Sequence, residues 1–113
     1  MNTITIGVSS VQDIKQRTAA AFRGKKHGAR ISFASEDLLW KTITPKRWTL
    51  LKAMVNQEPM AIREIARRVK RDVRAVHSDV HALLKAGVLD RADKGGVVFP
   101  YAAIHVDFLL RAA

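Results

Sequence analysis

The chain has 113 residues, which is the size of one ordinary domain. Hydrophobic residues make up 48% of it, and 20 Lys and Arg against 10 Asp and Glu leave a net charge of +10. This composition argues against disorder and favours a polyanion as the partner, with nucleic acid as the first candidate. The chain has no cysteine, which excludes disulfides and thiolate metal sites and is typical of a reducing cytoplasm.

The sequence does not indicate a membrane partner. No apolar run approaches the ~20 residues that a membrane-spanning helix needs, and residues 1–10 lack the basic start and long apolar stretch of a secretory signal. The positive charge is concentrated in the middle of the chain. Residues 43–87 carry ten basic and four acidic side chains, whereas residues 88–113 carry three of each. We therefore expect a polyanion to dock on the middle of the chain.

Residues 1–43 are predicted to form a strand–helix arm beside the main domain. Apolar and polar residues alternate over residues 2–8, which predicts a strand. A helix capped by Ser9 or Ser10 is then predicted to run to about Phe22. The rest of the arm is predicted to be a basic loop over residues 23–30, a short strand at Ile31–Phe33 and a capped helical turn at Ser35–Trp40.

Three helices with clear start signals are predicted in the middle of the chain. Thr44 is a good N-cap, and Pro45 occupies the first helical position, where its missing N–H costs nothing. The first helix is therefore predicted to run from Pro45 to about Asn56. The second and third are predicted over residues 62–69 and 72–86, with Val73, Val76, Val80, Leu83 and Leu84 of the third facing inward.

A β-hairpin is predicted to follow the third helix. Gly87 stops that helix, and a turn containing Gly95 and Gly96 joins strands over residues 88–91 and 97–99. The order helix, short helix, longer helix, hairpin is that of a winged helix-turn-helix domain. The predicted fold class is therefore mainly α with a small β-hairpin (α+β). The winged helix-turn-helix domain is predicted over residues 44–101, and a strand from Ile104 to Phe108 within a C-terminal tail of residues 102–113.

The outer face of the third helix is the predicted DNA-reading surface. In a winged-helix protein this helix enters the major groove. The hairpin, which is called the wing, commonly approaches the minor groove or its phosphates. Basic residues in this part of the chain exceed what solubility needs. The residues predicted to face the bases are Arg71, Arg74, His77, Ser78 and His81. Those predicted to contact phosphates, wing residues included, are Lys46, Arg47, Arg63, Lys70, Arg91 and Lys94.

The segment DVRAVHSDVHALLKAGVL, which starts at Asp72, resembles the recognition helix and first wing strand of MarR-type winged-helix regulators. The preceding IREIARRV, from Ile62, resembles their shorter helix. Together with ISFASEDLLW from Ile31 and ITPKRW from Ile43, these segments are similar to a small prokaryotic subgroup of DNA-binding proteins that includes antitoxin-like members. One departure is Ala61, which stands where many such proteins have a capping Ser or Thr. The missing cap costs about 1 kcal/mol.

The resemblance implies a transcriptional regulator that binds double-stranded DNA as a homodimer, with its own promoter as the operator. A two-fold symmetric regulator needs a surface that joins its two copies. The arm of residues 1–43 and the tail of residues 102–113 are the candidates, and Trp40 and Trp48 are predicted to be core or interface aromatics. The subgroup also implies an alternative, an antitoxin that represses its operon and neutralises a cognate toxin.

Other chemistries are weakly supported by the sequence. His77 and His81 have the i, i+4 spacing of helical zinc ligands, but Ser78 stands where a metalloprotease has its glutamate and no third ligand is evident. We therefore predict no metal and no other cofactor.

Catalysis is not indicated by the sequence either. Asp79 is expected to pair with a neighbouring arginine and not to act as a base. Because no set of catalytic residues is evident, the chain is not predicted to be an enzyme. The other open alternative is a winged-helix module that binds an acidic protein surface.

Overall fold

Four helices and five strands make up the described part of an α+β fold, seen in a computed structural model that describes residues 2–8 and 29–108. The helix predicted between Ser9 and Phe22 lies outside the described residues, as do residues 23–28 of the predicted loop. The strands are β1 (Thr3–Val8), β2 (Arg30–Phe33), β3 (Asp90–Arg91), β4 (Val97–Val98) and β5 (Ala103–Asp107). The helices are α1 (Glu36–Thr42), α2 (Pro45–Met54), α3 (Ile62–Val69) and α4 (Val73–Lys85).

Strands β1, β2 and β5 form a parallel sheet in the order β2-β1-β5. Ile6 lies opposite Ile31 of β2, and Ile4 lies opposite Ile104 of β5. Ile4 and Ile6 are 2% and 0% exposed and belong to the same hydrophobic core as the helices. Each strand was predicted singly, but their pairing was not. The predicted arm and the predicted tail therefore share one sheet, and its central strand is packed into the core.

The predicted caps of α1 and α2 are confirmed. The side chain of Ser35 accepts a hydrogen bond from the backbone N–H of Leu38 at 3.2 Å. Thr44 accepts from the N–H of Arg47 at 3.3 Å, with Pro45 in the first helical position of α2. Helix α3 begins after Ala61 without a side-chain cap, as the missing hydroxyl predicts.

A tight turn joins α3 to α4. Lys70 has the left-handed conformation (φ 56°, ψ 48°), and the N–H of Arg71 donates to the carbonyl of Ala66 at 3.1 Å. The side chain of Asp72 then caps α4. Helix α4 packs on α3 and α2, and the fully buried residues of α4 are Val76, Val80 and Leu83.

Val73 departs from the predicted inward face of α4. Its side chain is 44% exposed, so the prediction that it faces the core is wrong. Val73 is the first residue of α4, and the adjacent residues Asp72 and Arg74 are exposed as well. The core therefore begins one turn further along the helix, at Val76.

Strands β3 and β4 form the predicted hairpin, with Arg91 opposite Val97. Met60, just before α3, is tied to this hairpin by two backbone hydrogen bonds. Its N–H donates to the carbonyl of Val97 at 2.9 Å, and its carbonyl accepts from the N–H of Val97 at 2.8 Å. Gly95 and Gly96 have φ values of 100° and 83°. A Cβ on Gly96 would lie 3.0 Å from the carbonyl oxygen of Met60, whereas one on Gly95 would meet open space.

The Gly96→Ala variant is expected to lose about 2–3 kcal/mol of stability, because Ala adopts a positive φ at a cost of about 1–2 kcal/mol and its methyl group would also press on the backbone of Met60. Gly95→Ala is the matched control, since it has a positive φ without the crowding, and we expect it to lose only about 1 kcal/mol. Urea unfolding followed by circular dichroism measures both. Equal losses would show that the contact with Met60 does not matter.

Candidate nucleic-acid interface

One side of α4 is exposed and carries polar and basic side chains. Arg74, His77, Ser78 and His81 are all exposed, and their spacing of three or four residues places them on one face of the helix. We call these four residues the α4 stripe. Helix α4 has 13 residues, so it is about 20 Å long and long enough to lie in a major groove that is ~12 Å wide.

Arg74 of the α4 stripe is available to an outside partner. Its backbone N–H donates to the carboxylate of Asp72 at 3.1 Å, which completes the helix cap. Its guanidinium group makes no ion pair with any residue in the ranges 2–8 and 29–108. An arginine in this state presents five N–H donors in a fixed planar fork.

The two histidines of the α4 stripe contact each other. Their Nε2 atoms are 3.1 Å apart and their ring centroids 4.1 Å apart. Both side chains are exposed. The contact leaves each ring with one nitrogen, Nδ1, outside the pair.

Arg71 and Arg47 were predicted to contact DNA, but the structure pairs both of them with Asp79. Arg71 Nη2 lies 2.9 Å from Asp79 Oδ2, and Arg47 Nε donates to Asp79 Oδ1 at 3.0 Å. The side chains of Arg71, Arg47 and Asp79 are only 22%, 20% and 15% exposed. The prediction that Asp79 pairs with a neighbouring arginine is thus confirmed. The same pairing commits both guanidinium groups to Asp79 and leaves most of each side chain buried.

Arg47 also binds the end of α1. Its Nη1 donates to the carbonyl oxygens of Thr42 at 3.0 Å and Lys41 at 3.3 Å, which are among the carbonyls that a helix C-terminus leaves without a partner. Arg47 belongs to the first turn of α2, and Arg71 precedes α4. We call Arg47, Arg71 and Asp79 the Asp79 cluster. It connects the end of α1, the start of α2 and the middle of α4.

Two further arginines of α3 are held by a carboxylate at the surface. Arg67 Nε donates to Glu64 at 2.9 Å, and Arg68 Nε donates to it at 3.0 Å. The hydrogen bonds from Arg67 and then Arg68 lower the pKa of Glu64 from 4.5 to about 2, so this carboxylate keeps its charge further into the acidic pH range than a free glutamate does. Neither arginine was in the predicted set, and Glu64 offsets part of their charge.

The other residues predicted to contact phosphates are all exposed. Around the hairpin, however, Arg91 and Lys94 lie close in sequence to Asp90 and Asp93, which are exposed too. Two positive and two negative charges thus cancel there, and among the described residues the remaining exposed basic side chains lie mainly on the helices. The exposed predicted residues outside α4 are Lys46 in α2, Arg63 in α3, Lys70 in the turn between α3 and α4, and Arg91 and Lys94 in the hairpin.

A separate apolar surface is formed where α1 meets β5. The side chains of Trp40 and Phe108 make an edge-to-face contact with centroids 5.8 Å apart, although they are 53% and 37% exposed. Val106 is also exposed, at 39%. We call Trp40, Val106 and Phe108 the Trp40 patch. It borders a groove of about 390 Å³ that is lined by Trp40, Ile43, Pro45, Trp48 and Val106.

Neither a metal cluster nor a membrane span is found in the part of the chain that the structure describes. No three or more His, Asp or Glu side chains of these residues come together as metal ligands would. None of the described helices combines the length and the apolar character that crossing a bilayer requires.

These features define a small α+β protein with an exposed polar and basic helix face beside a β-hairpin. The chain belongs to the HVO_A0114 family, whose model matches residues 42–106. The match extends from the last residue of α1 through α2, α3, α4 and the hairpin into β5. Membership identifies the family of the chain and not its activity.

In structure the chain is similar to a protein of unknown function from Listeria innocua Clip11262. The two share 21% identity with a TM-score of 0.43, over 76% of this chain. The match spans 58% of the Listeria chain, and a likeness of this degree does not bear on function. No curated protein matches the chain.

Proposed function

We propose that the chain is a sequence-specific regulator of transcription that binds double-stranded DNA through a winged helix-turn-helix domain in the cytoplasm. One observation carries the proposal: the exposed Arg74, which forms no ion pair with the described residues, lies with three other hydrogen-bonding side chains on one face of α4. Helix α4 follows the shorter α3 and precedes a hairpin, which is the element order of MarR-type regulators. The net charge of +10 supplies the attraction to a polyanion.

In the proposed complex α4 lies in the major groove. The α4 stripe reads the base edges, with Arg74 bidentate to the O6 and N7 of a guanine. Lys46, Arg63 and Lys70 neutralise phosphates. The wing contributes little net charge, because Asp90 and Asp93 offset Arg91 and Lys94.

Arg47 and Arg71 have a different role in this proposal. In the proposed complex both guanidinium groups stay bound to Asp79 and do not contact DNA. They fix α4 relative to the N-terminal end of α2, and Lys46 lies at that same end. The Asp79 cluster therefore sets the distance between a phosphate-contacting residue and the α4 stripe.

The proposal is tested by fluorescence anisotropy with the purified full chain. The DNA that lies upstream of its own gene is compared with a scrambled duplex of equal composition across a salt series. We expect a preference of about 10³-fold or more for the upstream DNA near physiological salt. Equal binding to both duplexes that falls steeply with salt would contradict sequence-specific binding and would favour a module that binds an acidic protein surface.

We further propose that two copies join through the Trp40 patch. A palindromic operator is read by a two-fold symmetric dimer, and the patch unites the two parts of the chain predicted to dimerise, since Trp40 comes from the arm and Phe108 from the tail. The three side chains carry no charge, which suits the centre of a self-complementary interface. Stable dimers bury about 800 Å² on each partner, so the bordering groove would be covered as well.

The Trp40→Glu variant is expected to convert a dimer to a monomer, because a dimer would bury the new charges without partners. Light scattering after size-exclusion chromatography gives the mass of each variant. Val73→Glu is the matched control, since Val73 is likewise an exposed apolar side chain but lies on α4. A monomeric wild type, or a dimer that survives Trp40→Glu, would contradict an interface at this patch.

A further inference from the structure

The pair formed by His77 and His81 has the geometry of two metal ligands. Both residues lie on α4 four positions apart, so their side chains project from the same face of the helix. The 3.1 Å distance between the Nε2 atoms allows a hydrogen bond in which one ring nitrogen donates and the other accepts. One lone pair and one N–H thus lie between the rings. When the donating ring shifts its proton from Nε2 to Nδ1, both Nε2 lone pairs face the gap and both rings can bind a metal ion as neutral imidazoles.

The sequence predicted no metal because a third ligand was not evident; from the geometry of the pair we now propose that His77 and His81 form a two-histidine site for a divalent transition-metal ion. A metal–nitrogen bond to histidine is about 2.0–2.1 Å long, so two ligand nitrogens are about 2.9 Å apart at an angle of 90° and about 3.3 Å apart at the tetrahedral angle. The observed 3.1 Å lies between these values. Rotation of the exposed side chains is enough to direct both lone pairs to one point, and the helix backbone does not have to move.

The ligand set decides which ions bind. Imidazole nitrogen suits Cu²⁺, Ni²⁺ and Zn²⁺, whereas Mg²⁺ and Ca²⁺ prefer oxygen ligands. With the same two nitrogens, Cu²⁺ binds most tightly of the divalent first-row ions. Among the described residues no group of three metal-binding side chains occurs, so the remaining coordination positions hold water. The ion is therefore exposed on the surface of α4.

The site is tested with the untagged full chain and Cu²⁺, Ni²⁺ or Zn²⁺ chloride as the probe, by isothermal titration calorimetry and, for Cu²⁺, by electron paramagnetic resonance. We expect one tightly bound Cu²⁺ per chain with two nitrogen ligands in its spectrum. His77→Gln and His81→Gln should each weaken Cu²⁺ binding about 100-fold. With both histidines present, an ion bound to one nitrogen meets the second at a high effective concentration, and each variant removes that advantage. Mg²⁺ should not bind at the pair.

His105→Gln is the matched control, since His105 is an exposed histidine on β5 outside the pair. It should leave Cu²⁺ affinity unchanged, and the circular dichroism of all three variants should match the wild type. The proposal is overturned if His77→Gln and His81→Gln bind Cu²⁺ as tightly as the wild type, or if His105→Gln weakens binding as much as they do. No DNA is present in this test, so its outcome is independent of the proposed regulatory function.

Discussion

The Asp79→Ala variant is expected to be less stable than the wild type by about 3 kcal/mol, the lower end of the cost of removing one partner from a buried ion pair. The carboxylate of Asp79 is the counter-charge for both Arg47 and Arg71, whose side chains are about four-fifths buried. Without it, two guanidinium groups remain in a partly dry environment with fewer partners than water would give them. A loss of this size lowers the Tm of a domain of this length by roughly 10 °C.

Urea unfolding and thermal unfolding followed by circular dichroism measure the loss. Glu64→Ala is the matched control, because Glu64 also binds two arginines but at the surface, where water screens the charges. We expect Glu64→Ala to cost clearly less than Asp79→Ala. If the two variants lose the same stability, burial does not distinguish the pairs, and the Asp79 cluster does not hold α4 in place.

Local signals in the sequence predicted the helices. A capping hydroxyl followed by proline places the start of α2 at Thr44 and Pro45. The first turn of a helix has backbone N–H groups without helical partners; the Thr44 hydroxyl accepts from one of them, and Pro45 has no N–H. The apolar spacing of α4 likewise predicts that Val76, Val80 and Leu83 are buried. It fails at Val73, because periodicity shows which face a residue occupies but not how far along the helix the packed neighbour extends.

The parallel sheet could not be predicted in the same way. Thr3 of β1 pairs with Ala103 of β5, and no turn signal connects parallel strands so far apart in the sequence. The alternation in each strand predicts that a strand is present, but its partner is set by the packing of the whole chain. The two strands were therefore assigned to an arm and to a tail.

The candidate site shows the same limit. Arg71 and Arg74 are three residues apart and look equivalent in a charge pattern, yet Arg71 is bound to Asp79 while Arg74 faces solvent. The sequence signal for Asp79 was its position in the middle of the predicted third helix, near several arginines. That Arg47 is its second partner, 32 residues away, follows only from the crossing of α2 and α4.

Arg74→Ala is expected to weaken binding to the upstream DNA by about 1–3 kcal/mol, roughly 5- to 150-fold, if Arg74 reads a guanine through two hydrogen bonds. Binding to a scrambled duplex should weaken much less, so the preference between the duplexes should fall. Arg74 is exposed and forms no ion pair with the described residues. Its replacement should therefore leave the stability of the fold within about 0.5 kcal/mol of the wild type.

Two further variants separate charge from base reading. Arg74→Lys keeps the charge but loses the planar fork that matches guanine, so it should retain binding to the scrambled duplex and lose most of the preference. Lys46→Ala should instead weaken binding to both duplexes equally and reduce the slope of log affinity against log salt by about 1, as loss of a phosphate contact does. If Arg74→Ala leaves affinity and preference unchanged while Lys46→Ala weakens both, DNA binds this protein through phosphates alone. Helix α4 would then not be the reading helix, and the +10 charge would attract DNA without regard to its sequence.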